Sequence, residues 1–180
     1  MNITIVTGNA GKLAEWQRLM PAEFGLVAQD IDLDEIQTLD MDALIRDKAL
    51  RAFEVVGTPI IVEDIAAGLD SLGGLPGPFI KFFEKTLGND ALFQLAKDSE
   101  EPATVRCAAA YYDGQKFIIV HSAVQGTVVP ARGTNGFGFD ACFVPAGQAK
   151  TYGEMTSAEK DAVSHRAKAV KLLVNKLQEQ

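Results

Sequence analysis

The sequence predicts a mixed α/β fold, a twisted central sheet flanked by helices. Three observations carry that expectation. Strand-like and helix-period segments alternate through the first sixty residues, two long strand-rich runs meet at an Asp-Gly pair, and a helix-period stripe closes the chain. At 180 residues, 47% hydrophobic and 23% charged, the chain is long enough for a real core, and a single domain over residues 1–180 is expected.

Residues 3–7 read as a buried strand. Gly8-Asn9-Ala10-Gly11 is a turn, with Asn9 the candidate N-cap of a short helix over 12–20 that places Leu13, Trp16, Leu19 and Met20 on one face. A second strand is expected near 26–28. Over 42–56, Leu44, Ile45, Ala49, Ala52, Phe53 and Val56 recur at helical spacing, and Gly57-Thr58-Pro59 ends the helix. Ile60-Ile61-Val62 is a β-branched run that reads as a short central strand delivering Glu63 and Asp64 at its C-terminal end.

Gly73-Gly74-Leu75-Pro76-Gly77-Pro78 reads as a loop without regular structure, followed by helices over 79–86 and 90–97. Residues 104–112 and 116–129 are strand-rich, and Asp113-Gly114 between them is a hairpin signal. Residues 132–140 form a glycine-rich loop. The last helix starts near Ser157. Thr156 with Glu159 matches a capping box, and Val163, Ala167, Val170, Val174 and Leu177 form its apolar stripe.

The formal net charge is −7, which argues against a general nucleic-acid binder, since such a protein needs a basic face for phosphate. A small polyanion remains compatible if cations gather locally with a metal ion. No apolar run approaches the roughly 18–20 residues of a membrane span, and the N-terminal run shows no secretory pattern. Cys107 and Cys142 are too few for a disulfide framework and match no zinc spacing, so two reduced core thiols and a cytoplasmic location are expected.

Chemistry concentrates in five places. Thr7-Gly8-Asn9-Ala10-Gly11-Lys12 passes from strand to tight turn to helix start, where free N–H groups and the helix dipole favour an anion; an ordinary capped turn is the plainer reading. Glu35 lies in the acidic loop Asp32–Gln37, and Glu63-Asp64 follow a strand, where carboxylates suit Mg²⁺. Taken alone, Glu35 and Glu63 each read better as solvated acids, and Asp64 is the sharper candidate. Lys48, Lys81 and Lys160 are the cations nearest these segments. Gly136-Phe137-Gly138-Phe139-Asp140 offers aromatic faces to a flat ligand, or a core phenylalanine pair beside a turn. Ser164-His165-Arg166 stands four residues beyond Lys160, expected on one helix with Lys160 and Ser164 sharing a face, and gathers donors suited to the acceptor edge of a 6-keto purine. His121 reads as structural.

Together these segments resemble the inosine triphosphate pyrophosphatase family, the Ham1-like non-canonical purine NTP pyrophosphatases. The likeness runs nearly end to end: Thr7-Gly8-Asn9 with Lys12, Glu35-x-Gln37, Val62-Glu63-Asp64, the Gly-Gly-Leu-Pro-Gly-Pro loop with Lys81, Phe137-Gly138-Phe139-Asp140, and Lys160 through Ser164-His165-Arg166. The resemblance implies hydrolysis of ITP, dITP and XTP to monophosphate and pyrophosphate by a Mg²⁺-dependent homodimer with two lobes around a nucleotide cleft. It further implies that Thr7, Gly8, Asn9, Ala10, Gly11, Lys12, Lys48 and Lys81 bind the triphosphate, that Glu35 and Asp64 hold the metal, and that Asp64 is catalytic. Phe137, Gly138, Phe139, Asp140, Lys160, His165 and Arg166 would then surround the base and sugar. Ile65 stands where the family usually carries Ser or Thr, and Phe139 where several relatives carry Trp. The alternatives are a catalytically impaired nucleotide-binding module and a Maf-like pyrophosphatase of other base specificity.

Overall fold

In a computed structural model describing residues 2–97 and 99–179, the chain forms a mixed α/β fold. Seven strands make one sheet in the order β2-β1-β3-β5-β6-β7, with β4 paired to β3. Helices α1–α6 complete the chain. By compactness it divides into two units that interleave along the sequence. The first takes the chain up to Asp64, Cys107–Ser122 and everything from Arg166; the second takes Ile65–Arg106 and Ala123–His165.

The first unit begins with β1 (Asn2–Val6), α1 (Ala10–Leu19), β2 (Gly25–Gln29) and α2 (Met41–Val56). The Asn9 side chain caps α1 by accepting the Lys12 N–H at 3.0 Å. Asp40 caps α2 by accepting from Asp42 and Ala43, and Gly57, with φ +69°, ends it. The buried residues Leu44, Ile45, Ala49 and Ala52 line one face of α2.

β1 pairs in parallel with β2 on one side and β3 on the other. The connection from β1 through α1 therefore runs one way across the sheet, and that from β2 through α2 runs back. Strand order reverses between β1 and β3, the place where open α/β sheets bind ligands beyond their strand ends. In the core on the α2 side, Val6, Ile60 and Val62 pack with Ile45, Ala49, Ala52, Ala108 and Ala110.

β3 (Ile60–Leu69) is the main departure from expectation. It runs five residues past Asp64, so Glu63 and Asp64 sit inside the strand and not at its end. All ten residues are buried. The continuation Ala66-Ala67-Gly68 has low strand propensity, and tertiary pairing overrides it: within the second unit, Ala67 and Gly68 pair with Gly77 and Pro76 of the two-residue β4 (Pro76–Gly77). Part of the glycine-proline loop is thus strand. A Cβ on Gly68 would run into the Gly74 backbone, so the close approach demands glycine there.

The second unit continues with α3 (Ile80–Leu87) and α4 (Ala91–Leu95). β5 (Glu101–Tyr112) and β6 (Phe117–Val128) each contribute to both units, and β7 (Phe143–Pro145) pairs with β6. Around the Asp113-Gly114 turn, Phe53, Tyr112 and Phe117 stack within the first unit.

The expected single C-terminal helix is two, α5 (Ser157–Val163) and α6 (His165–Gln178). The capping box is present at Thr156 and Glu159. At Ser164 the backbone turns extended, with ψ 155°, so Lys160 and Ser164 do not share a helix face. The Ser164 N–H still closes the last turn of α5 on the Lys160 carbonyl at 2.8 Å. On α6 the buried stripe is Ala169, Val170, Leu173, Val174 and Leu177, whereas Val163 and Ala167 are only part-buried.

Candidate active site

Three loop or strand positions meet at the reversal point of the first unit. β1 ends at Val6, and the register of Thr4 with Ile60 and Ile5 with Ile61 places Glu63 and Asp64 just beyond that end. Thr7-Gly8-Asn9 leads from β1 into α1, the Thr7 hydroxyl accepting the Asn9 N–H at 3.1 Å. The first-turn N–H groups of α1 that lack intrahelical partners open at the same edge.

Neighbours on a strand point to opposite faces, and Glu63 and Asp64 follow that rule. Asp64 turns to α2, where the Lys48 ammonium donates to its Oδ2 at 3.0 Å, to Glu35 Oε1 at 2.7 Å and to the Glu63 carbonyl at 3.3 Å. Burial opposes the ammonium charge, but Asp64 and then Glu35 outweigh it and hold its pKa above the ordinary lysine value. Glu35 comes from the loop after β2, so β1, β2 and β3 each deliver part of one edge.

Glu63 turns to α1. Its carboxylate accepts both Nε and Nη2 of Arg166, at 2.6 and 2.7 Å, and the Trp16 indole N–H at 2.7 Å, while Lys12 stands 3.4 Å away. Arg166 also donates through Nη1 to Glu15. Burial pushes the Glu63 carboxyl up, yet the Arg166 guanidinium, Lys12 and these hydrogen bonds hold it well below the usual carboxylate range. Arg166 is 1% exposed, and its own pKa is raised because Glu63 and Glu15 prevail over burial.

The second unit gathers the remaining candidates. Lys160, 4% exposed, donates to Asp140 Oδ2 at 2.6 Å, and its ammonium lies 5.0 Å from the Phe137 ring and 5.3 Å from the Tyr152 ring. The same Asp140 oxygen accepts the Phe137 N–H at 2.8 Å. Gly136, with φ +75°, must lack a side chain here, since its Cβ would collide with that carboxylate. Phe139 is buried against Phe143 and His165, with centroid distances of 6.3 and 6.1 Å, and Tyr152 also faces His165. Phe139 is thus a core residue, and Phe137, part-buried, is the more open ring. Lys81 stands on α3 with its ammonium 5.3 Å from the Phe82 ring. His121 pairs at the surface with Asp42, 2.7 Å apart.

Family comparison matches residues 3–176 to the Ham1 family. The chain belongs to that family. The inosine triphosphate pyrophosphatase of Yarrowia lipolytica is 39% identical over 178 residues, covering 96% of this chain and 94% of that one. The enzyme of the same name from Schizosaccharomyces pombe is 37% identical over 169 residues, covering 92% and 89%. Among solved structures, a HAM1 protein from Coxiella burnetii superposes with a TM-score of 0.81 at 25% identity over the whole of both chains. A nucleoside-triphosphatase, dITP/XTP pyrophosphatase, from Mycobacterium abscessus gives 0.70 at 28% identity, covering 96% of this chain and 98% of that one.

Three residues of the network around Arg166 and Glu63 escaped the sequence reading. Glu63 passed as a solvated acid, Trp16 as a core apolar residue, and Glu15 drew no notice. Strand alternation holds the missing signal: if Asp64 faces the chemistry, Glu63 must face the opposite helix, where a buried acid needs cations and donors.

Proposed function

We propose that the chain hydrolyses the non-canonical purine nucleoside triphosphates ITP, dITP and XTP to the monophosphate and pyrophosphate. It is a nucleoside-triphosphate pyrophosphatase, the activity for which its near-full-length relatives are named. The convergence of Lys48, Glu35 and Asp64 at the edge that also carries the Thr7–Lys12 helix start is the observation that carries the reading.

Mg²⁺ fits the two carboxylates. It favours one or two carboxylates and leaves its remaining positions to phosphates and water, and among the described residues no group of three or more acid, histidine or cysteine ligands gathers anywhere. Glu35 and Asp64 would hold it. When bound, Mg²⁺ supplies positive charge against the substrate phosphates and the departing pyrophosphate.

Asp64 orients the attacking water toward the α-phosphorus and accepts its proton. Gly8, Ala10 and Gly11 present N–H groups to the triphosphate, Thr7 and Asn9 shape the turn that carries them, and Lys12, Lys48 and Lys81 offset its charge. In the second unit Phe137 offers a face to the base, Gly138, Phe139 and Asp140 shape its surroundings, and Lys160 and His165 donate to a 6-keto oxygen. The 6-amino group of adenine would leave those donors unmatched. The resemblance also counts Arg166 among the base readers, while its guanidinium here holds Glu63 and Glu15. The resemblance further supports a cytoplasmic homodimer, which light scattering of the purified protein would test through a mass twice that of the chain. No described helix is long and apolar enough to cross a membrane.

Pyrophosphate release from ITP, XTP, GTP, ATP and dTTP with Mg²⁺ tests the reading. ITP and XTP should lead. Fastest turnover of dTTP would favour a Maf-like specificity, and ITP binding without any release would favour an inert module. Asp64→Asn should lower kcat by about a hundredfold or more while leaving the melting transition in place. Full activity in that variant would remove Asp64 from the catalytic role.

A further inference from the structure

Three oxygens of the first unit point at one cation. Glu35 Oε1, Asp64 Oδ2 and the Glu63 carbonyl oxygen lie 2.7, 3.0 and 3.3 Å from the Lys48 ammonium, one for each of its three N–H donors. Two carboxylates brought to one point repel unless a positive charge stands between them. Lysine provides one charge on a flexible four-carbon stem, and a divalent ion would provide two. The stem leaves α2 on the side of the buried Leu44, Ile45 and Ala52, so its root is fixed while its head can move.

We propose that the Lys48 ammonium holds the seat of the divalent cation between Glu35 and Asp64 until substrate arrives, and that cation binding displaces it onto the substrate phosphates. The inference rests on the metal reading given above and adds an order of events to it. Without nucleotide, the metal must evict a charge that has nowhere comparable to go, so it binds weakly. With nucleotide, the displaced ammonium finds phosphate oxygens, so metal and nucleotide tighten each other. Such coupling is reciprocal, and its size is set by what Lys48 gains and loses.

Titration of the full-length protein with Mn²⁺, followed by electron paramagnetic resonance, separates the outcomes. Without nucleotide, Lys48→Met should bind Mn²⁺ about tenfold more tightly than wild type, since a competing unit charge within 3 Å of both acids is gone. Lys48→Arg, which keeps a cation there, should bind as wild type does. A non-hydrolysable α,β-imido ITP analogue should tighten Mn²⁺ binding in wild type, and this gain should shrink several-fold in Lys48→Met. If Lys48→Met does not fold, Lys48→Gln takes its place. Mn²⁺ affinity unchanged or lower in the uncharged variants, with Asp64→Asn still weakening it, would overturn the role of Lys48 and leave the metal site standing. Mn²⁺ binding indifferent to both Asp64→Asn and Glu35→Gln would overturn the metal site and this inference together.

Discussion

Taking the Glu63 carboxylate away would leave Arg166, buried beneath 1% exposure, short of the partner that accepts two of its nitrogens. Breaking a buried pair from one side costs about 3–5 kcal/mol, because the remaining charge stays in the interior. Glu63→Ala should therefore lower the unfolding free energy by about that amount in urea titrations. A loss below about 1 kcal/mol, the value of an exposed pair, would show that the network contributes little. At this scale the sequence was legible where a residue type has few uses: Asn9 before a helix caps it, and Asp64 after a β-branched run meets a cation. It was opaque where the same residue type has two fates. Nothing in the letters Glu-Asp says which acid is locked to an arginine 103 residues away.

Elements show the same division. α1, α2 and the Asp113-Gly114 hairpin announce themselves by period, caps and turn chemistry, all local in sequence. The length of β3 does not, since Ala66-Ala67-Gly68 becomes strand only when β4 reaches it. The break at Ser164 carries a faint mark, a serine directly before α6, where helices favour that residue. One prediction belongs to α5. Its Glu159 carboxylate accepts from Lys150 and from the Thr156 backbone and hydroxyl, and these bonds hold its pKa down to about 2. A depressed carboxyl contributes its stability above the ordinary glutamate value, and that contribution is lost as pH falls toward 2. Carboxyl NMR should find Glu159 titrating near 2, and Thr156→Ala should move the midpoint upward. A midpoint at the ordinary value in the unmodified protein would mean that neither the Lys150 pair nor the capping box is formed in solution.

For the whole molecule, the alternation of strands and helices made the fold class readable, and composition made the core readable. The resemblance implied two lobes, but the points where the chain passes between the two units were not readable, because they follow contacts that gather Asp64 and Arg166 in one unit and Ile65 and His165 in the other. Both cysteines are free and buried. Burial pushes the Cys142 thiol up to about 12 and the Cys107 thiol well above its ordinary value. Alkylation at pH 8 should thus leave the native protein unlabelled and proceed only in step with the unfolding transition. Rapid labelling of either thiol under native conditions would show an opening smaller than global unfolding.

β3 sets Glu63 and Asp64 back to back, and one peptide plane separates an acid held by Arg166 from the acid we propose for chemistry. The strand works as a partition wall. A one-residue slip in the register of the strand would exchange the two rooms, presenting Glu63 to Lys48 and Asp64 to Arg166. Point substitutions can adjust either acid alone. The reading frame of this strand, by contrast, is a quantity that selection cannot vary by one.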